Sequence, residues 1–235
     1  DIYGYDFGNN DSDPMDDHSH GTHCAGTIGA KGNDGHGVVG VNWNVSIMAV
    51  KFISKKGKGK LSDAIKAIDY AVNMGANITS NSWGSYGQSQ ILQETIERAH
   101  SSGVLFVAAA GNDGKNSKFK KMYPASYPVE NIISVAAMSS SGRLARFSNY
   151  GDAVHIAAPG DKILSTVPGG FAIKKGTSMA APHVAGVAAL LLAAKPNLTH
   201  LEIKEAILHS VTPLDRIQGK VSTNGMLNAF EALNY

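Results

Sequence analysis

Read for the spacing of its apolar positions, the chain alternates short continuous runs with amphipathic stretches. Residues 46–54, 76–80 and 104–109 are apolar over strand-like lengths, and 61–74 and 91–102 between them have helical periodicity. In the first of these helices Ile65, Ile68 and Val72 share one face, Ser62 is a candidate N-cap, and Gly75 stands just past the end. Strands alternating with helices predict βαβ units on a parallel sheet. Further along, 132–137, 154–158 and 163–166 read as short buried strands separated by Gly, Ser and Pro loops. Residues 179–194 form an apolar run interrupted by Pro182 and His183, shorter than the roughly 20 residues a bilayer span needs. They predict a buried core helix. Thr199 followed by Glu202 is a capping box that opens a last long helix to about residue 210.

Composition narrows the class. With 235 residues, 43% hydrophobic and 17% charged, and with no internal repeat or linker, residues 1–235 predict one α/β domain. A formal charge of +2 cannot supply the field that nucleic-acid binders use, so nucleic acid is not expected as a partner. Cys24 stands alone, which excludes a disulfide framework within the chain.

Three motifs carry candidate chemistry. In Gly176-Thr-Ser178-Met-Ala-Ala-Pro-His, a serine lies between a glycine turn and an apolar helix. At that helix start, unpaired N–H groups and the positive end of the dipole favour a developing alkoxide or oxyanion, although an N-cap serine would look the same. His20-Gly-Thr-His23-Cys24 offers the base such a serine needs; a zinc site from His20, His23 and Cys24 is the competing reading, without a second ligand cluster. Asn112, in Ala-Ala-Gly111-Asn112-Asp-Gly, follows a strand and can aim an amide into a cleft at the sheet's carboxyl edge. Gly35-His-Gly37-Val-Val-Gly40 matches the dinucleotide fingerprint but lacks the strand before it and the helix after it.

Together and in this order, the His, Asn and Ser motifs resemble the subtilisin-like serine proteases, and among them the thermitase type, over nearly the whole chain. The resemblance implies a three-layer α/β/α fold with a mostly parallel sheet. It also implies His20 as general base, Ser178 as nucleophile, and an oxyanion hole from the Asn112 amide and the Ser178 N–H. The family's orienting aspartate ends a hydrophobic strand upstream of the His motif, in an Asp-Ser/Thr-Gly sequence. No such segment is present, since Asp6, Asp11, Asp13, Asp16 and Asp17 all lie in other contexts. The expectation is therefore a domain lacking its first strand or strands, with full activity requiring an Asp-bearing segment outside these residues. A non-catalytic peptide-binding form is the alternative.

By the same resemblance, Lys58-Gly59 and Ser82-Trp83-Gly84 are the two walls that pair with an extended peptide, and Ala109, Ala110, Gly111 and Met122 line the pocket for the residue before the cut. Small walls over an apolar base suggest an uncharged side chain there. The loop Asp6-Phe-Gly-Asn-Asn-Asp11-Ser-Asp13 concentrates hard oxygen donors of the kind calcium takes, and the thermitase type binds structural calcium with a similar stretch. Asp34 is the side-chain candidate of a second calcium loop. The resemblance further implies a secreted or extracytoplasmic zymogen, a monomer with an inhibitory N-terminal propeptide, acting on proteins or peptides and not on a membrane.

Overall fold

Three hydrophobic clusters cover one sheet, one on one face and two on the other, and the strand residues alternate between the faces with period two. The computed structural model describes residues 3–235. Its elements are β1 (Tyr5–Asp6), α1 (His20–Gly29), β2 (Val50–Lys51), α2 (Leu61–Asn73), β3 (Ile78–Asn81), α3 (Gln90–Ser101), β4 (Leu105–Ala109) and β5 (Ile132–Met138). They are followed by β6 (Ile156–Pro159), β7 (Ile163–Val167), β8 (Gly170–Lys174), α4 (Thr177–Ala194), α5 (His200–His209), β9 (Thr212–Pro213), β10 (Gly225–Met226) and α6 (Ala229–Asn234). The main sheet runs β3-β4-β5-β6-β10-β9 and is parallel except for the last strand.

Every residue of β4 and β5 is buried, as expected of parallel strands covered on both faces. Leu105, Val107 and Ala109 pack with α4, α5 and α6, while Phe106 and Ala108 pack with α2 and α3 on the other side. This makes the three-layer α/β/α arrangement. The apolar run after Ser178 is α4, whose Ala180, Ala181, Val184 and Ala188 are fully buried against the sheet. Pro182 lies inside it, and the Ser178 carbonyl that its missing N–H would have met accepts from Cys24 and Ser82 instead.

Several expectations are corrected. Of 46–54, only β2 is a strand, paired in parallel with β1 outside the main sheet. Ser62 does not cap α2: Lys60 holds the cap position in extended backbone, and the Ser62 hydroxyl bonds Asp63 instead. The run 163–166 is β7, but it is neither fully buried nor part of the main sheet. It forms an antiparallel hairpin with β8, and Leu164, Phe171 and Ile173 face outward. The capping box of α5 makes both of its reciprocal bonds.

Candidate active site

His20, Asn112 and Ser178 each sit where a regular element begins or ends, and each is positioned by bonds from a different part of the chain. His20 is the first residue of α1. The residue before it, Ser19, has a left-handed backbone (φ 77°) and makes no side-chain cap. The cap comes from Asp16, whose Oδ2 accepts from the Thr22 N–H and hydroxyl at 2.7 Å, while Oδ1 accepts from the N–H groups of His18 and Ser19 at 2.8 Å. Burial works against the Asp16 carboxylate, but these donors outweigh it and hold its pKa at about 2. A residue that sequence spacing left in a polar loop therefore fixes where His20 stands.

Ser178 is the second residue of α4, which packs against α1. The two helices are joined at this point by the Cys24 thiol, which donates to the Ser178 carbonyl at 3.3 Å. Ser82 and Ser178 exchange bonds: the Ser82 hydroxyl donates to the Ser178 carbonyl at 2.9 Å, and the Ser178 hydroxyl donates to the Ser82 carbonyl at 3.1 Å. Among the described residues, His20 makes no side-chain hydrogen bond. Its imidazole is pushed down to about 4, first by burial and then by the charges of Lys174 and His18, with Asp16 pulling the other way. It is thus neutral, as a base must be, throughout the neutral range.

Asn112 is exposed at the carboxyl end of β4. Its Oδ1 accepts from the Thr177 N–H at 2.8 Å and from the Thr177 hydroxyl at 3.0 Å. A backbone N–H can only donate, so this pairing fixes the amide orientation and leaves Nδ2 as the outward group. A methyl built on Gly176 would lie 3.5 Å from Asn112 Nδ2 and 3.6 Å from the Ser178 nitrogen. The two nitrogens therefore border the same small space. The loop carrying Asn112 is held by Asn149, which is buried. It donates to the Ala110 carbonyl at 2.9 Å and accepts from the N–H groups of Asp113 and Lys115 at 3.2 and 2.9 Å.

Of the residues expected to line a groove, Ser82 bonds Ser178 directly. Gly84 and Gly111 lie on either side of Met122: a methyl on Gly84 would be 3.3 Å from Met122 Cγ, and one on Gly111 would be 3.1 Å from its Cε. Ala109 and Ala110 are buried beneath. Lys58 and Gly59, expected on the opposite wall, close a tight turn in which the Ser54 N–H donates to the Lys58 carbonyl at 2.9 Å. That turn is linked to the Ser82–Gly84 wall through the Phe52 and Trp83 rings, 5.3 Å apart and edge to face.

The zinc reading does not survive. The His23 ring is fully buried with Nε2 at 3.1 Å from the carbonyls of both Ile163 and Ala172, and burial raises the Cys24 thiol to about 11. For the acidic loop, the Asp6 carboxylate is already satisfied by the N–H groups of Gly8 and Asn9, the Asn9 amide and the Lys51 ammonium at 2.5 Å. Burial works to raise its pKa, but the Lys51 and backbone bonds hold it below the ordinary carboxylate value. Asp11, Asp13 and Asp34 each accept one N–H from the residue two positions on. Among the described residues no three His, Cys, Asp or Glu side chains gather as a metal-binding group. In this structure a lysine supplies the positive charge at Asp6, whereas Asp11 and Asp13 are exposed carboxylates.

The model of a family described as the Subtilase family matches residues 1–229. A thermophilic serine proteinase of Bacillus sp. (strain AK1) is 43% identical over 237 residues, covering 100% of this chain and 57% of that protein. Thermitase of Thermoactinomyces vulgaris is 39% identical over 237 residues, covering 100% of this chain and 81% of the relative. A crystal structure of a cold adapted subtilisin-like serine proteinase aligns with a TM-score of 0.82 at 38% identity, over 96% of this chain and 78% of that one. The chain spans about half the length of several of the curated relatives it matches.

Proposed function

The chain belongs to the subtilase family, and from that premise we propose that it carries the catalytic centre of a serine endopeptidase that cleaves peptide bonds through an acyl-enzyme. The observation that supports this reading most directly is the locked Asn112 amide. With Oδ1 taken by Thr177, Nδ2 is left as a donor bordering the same space as the Ser178 nitrogen.

In this mechanism the Ser178 hydroxyl leaves the Ser82 carbonyl by rotation about its Cα–Cβ bond and attacks the scissile carbonyl carbon. His20 takes the hydroxyl proton as the C–O bond forms, and the carbonyl π electrons move to oxygen. Asn112 Nδ2 and the Ser178 N–H stabilise that charge. Collapse expels the amine, to which the His20 imidazolium hands its proton. Water then attacks the Ser178 ester with His20 again as base, releasing the acid and regenerating the hydroxyl. The orienting carboxylate that would steady the imidazolium is assigned to an aspartate outside these residues. An extended peptide would lie between Lys58-Gly59 and Ser82-Trp83-Gly84, held through main-chain bonds and therefore tolerant of sequence. Calcium is assigned to the Asp6–Asp13 loop through Asp11, Asp13 and loop carbonyls, and has no part in the chemistry.

The test is covalent labelling of the full-length protein with a fluorophosphonate probe, followed by mapping of the modified peptide. The expected result is a single adduct on Ser178, lost in Ser178→Ala together with peptide hydrolysis. Folded protein that takes no label and cleaves nothing would leave a groove that at most binds peptides.

A further inference from the structure

One cation at this centre is used by nothing described so far. Lys174 ends β8, and its ammonium donates to the Ser19 hydroxyl at 2.7 Å, one residue before His20. It is close enough to depress the His20 imidazole, and it also acts on His23 and Cys24. No carboxylate lies within ion-pair distance of it among the described residues, whose pairs involve Lys51, Arg98 and His100. The nearby acids are committed elsewhere: Asp16 to four donors at the start of α1, and Asp17 to Lys51 at 3.6 Å. The Lys174 ammonium thus has no carboxylate partner among the described residues, while the Asp16 charge opposes it only at His20 and Cys24.

We propose that Lys174 selects the residue on the leaving-group side of the scissile bond, favouring aspartate or glutamate there. The inference rests on the acyl-transfer reading, and the side follows from that chemistry. His20 must deliver its proton to the departing nitrogen, so the departing segment runs past the imidazole. Lys174, tethered to Ser19 beside His20 on the hairpin whose β7 strand packs against α1, would then lie within reach of the side chains of that segment. The Lys58–Gly59 turn belongs to the other wall of the groove. An acidic side chain would therefore complete an ion pair that the protein itself leaves open. The Ser19 tether pre-orders the long lysine side chain, which limits the entropy lost on pairing.

The test is a set of peptides with a common acyl half and Asp, Glu, Ala or Lys as the first leaving residue, with kcat/KM measured for the unsubstituted protein, Lys174→Arg, Lys174→Leu and Lys174→Glu. The unsubstituted protein and Lys174→Arg are expected to prefer the acidic peptides over alanine by about fivefold, and over lysine by more, the upper range for a solvent-facing pair. Lys174→Leu should flatten the series and Lys174→Glu should invert it. A few hundred millimolar salt should shrink every ratio. A purely structural lysine would change rates without changing their order. Equal rates across the series in the unsubstituted protein, or an order unchanged in a folded Lys174→Glu variant, overturn the proposal while leaving the acyl-transfer reading intact. Absence of hydrolysis of every peptide, with no labelling of Ser178, overturns both.

Discussion

Asn149→Leu offers the most direct test of how the oxyanion donor is held. Asn149 spans the Ala110–Lys115 loop with one donated and two accepted bonds, and its own side chain is almost without solvent contact. Leucine has similar volume and none of these bonds. The Ala110 carbonyl, on a buried residue, would lose its partner in a site water cannot easily reach, at a cost of about 2–3 kcal/mol. The N–H groups of Asp113 and Lys115 belong to exposed residues and can turn to water, so their loss is about 1 kcal/mol each. Burial of the leucine methyls returns about 1–2 kcal/mol. The net destabilisation is about 3 kcal/mol, which for a domain of this size lowers Tm by roughly 6–12 °C. Backbone bonds from Asn149 to Gly111 and from Tyr150 to Lys115 remain, so the loop stays attached but less exactly placed. Hydrolysis should fall by up to about 10²-fold, chiefly in kcat, because the donor is misplaced in the transition state. Asn149→Asp keeps the acceptors but sets a buried carboxylate oxygen against the Ala110 carbonyl, and should destabilise as well. Thermal melts followed by near-ultraviolet circular dichroism, with peptide hydrolysis on the same samples, decide it. A Tm change under about 2 °C together with unaltered kcat would refute the assignment of Asn149 as the brace of Asn112.

Asp16→Ala removes the cap of α1 and should cost about 1–2 kcal/mol, or roughly 2–8 °C in Tm, with a fall in hydrolysis because His20 begins that helix; a melt unchanged within a degree would show that Ser19 takes over. In the full-length protein the acid limb of kcat/KM is expected well above pH 4, because an orienting carboxylate raises an imidazole that burial, Lys174 and His18 otherwise push down to about 4. A limb near pH 4 would mean that His20 works without one. Calcium at about a hundred times its Kd should raise Tm by roughly 5–10 °C, and Asp11→Ala with Asp13→Ala should abolish the rise. Equal melting with calcium and with chelator would exclude the loop as a site.

What the sequence made legible was local. The all-apolar run of β4, the helical spacing of α3 and the reciprocal capping box of α5 depend on residues within a turn or two of one another, and each is present. The candidates His20, Asn112 and Ser178 were also legible, from motif order. Their supports were not. Asn149 acts on a loop 34 to 39 residues away, and Lys174 reaches Ser19 across 155 residues, separations that no periodicity reports. Ser62 failed as a cap for a local reason, since α2 begins one residue before it and Lys60 takes the cap position. The cap of α1 was missed because the helix enters through a left-handed Ser19, so the oxygen that meets its N–H groups comes from three residues earlier than the usual position. The β7–β8 hairpin was half visible: its Pro-Gly-Gly turn is a strong signal, but Phe171 and Ile173 face solvent and imitate no buried strand.

The distribution of fixed and free groups at the centre argues for the chemistry more strongly than the motifs do. Asn112 is held by Thr177 on one side, and its loop by Asn149 on the other. The Ser178 nitrogen is fixed by the start of an 18-residue helix buried in the core. These are the groups that must not move, because preorganised donors stabilise charge only if they need no rearrangement when it appears. The Ser178 hydroxyl, by contrast, rests on a single carbonyl at 3.1 Å, and the His20 ring has no side-chain bond among the described residues. These two groups have to exchange a proton, and in the mechanism both change partners twice per turnover. In the proposed mechanism the missing His20 partner is the orienting carboxylate, so the freedom that bears on the chemistry is that of the Ser178 hydroxyl, which a single bond holds and which must rotate to attack.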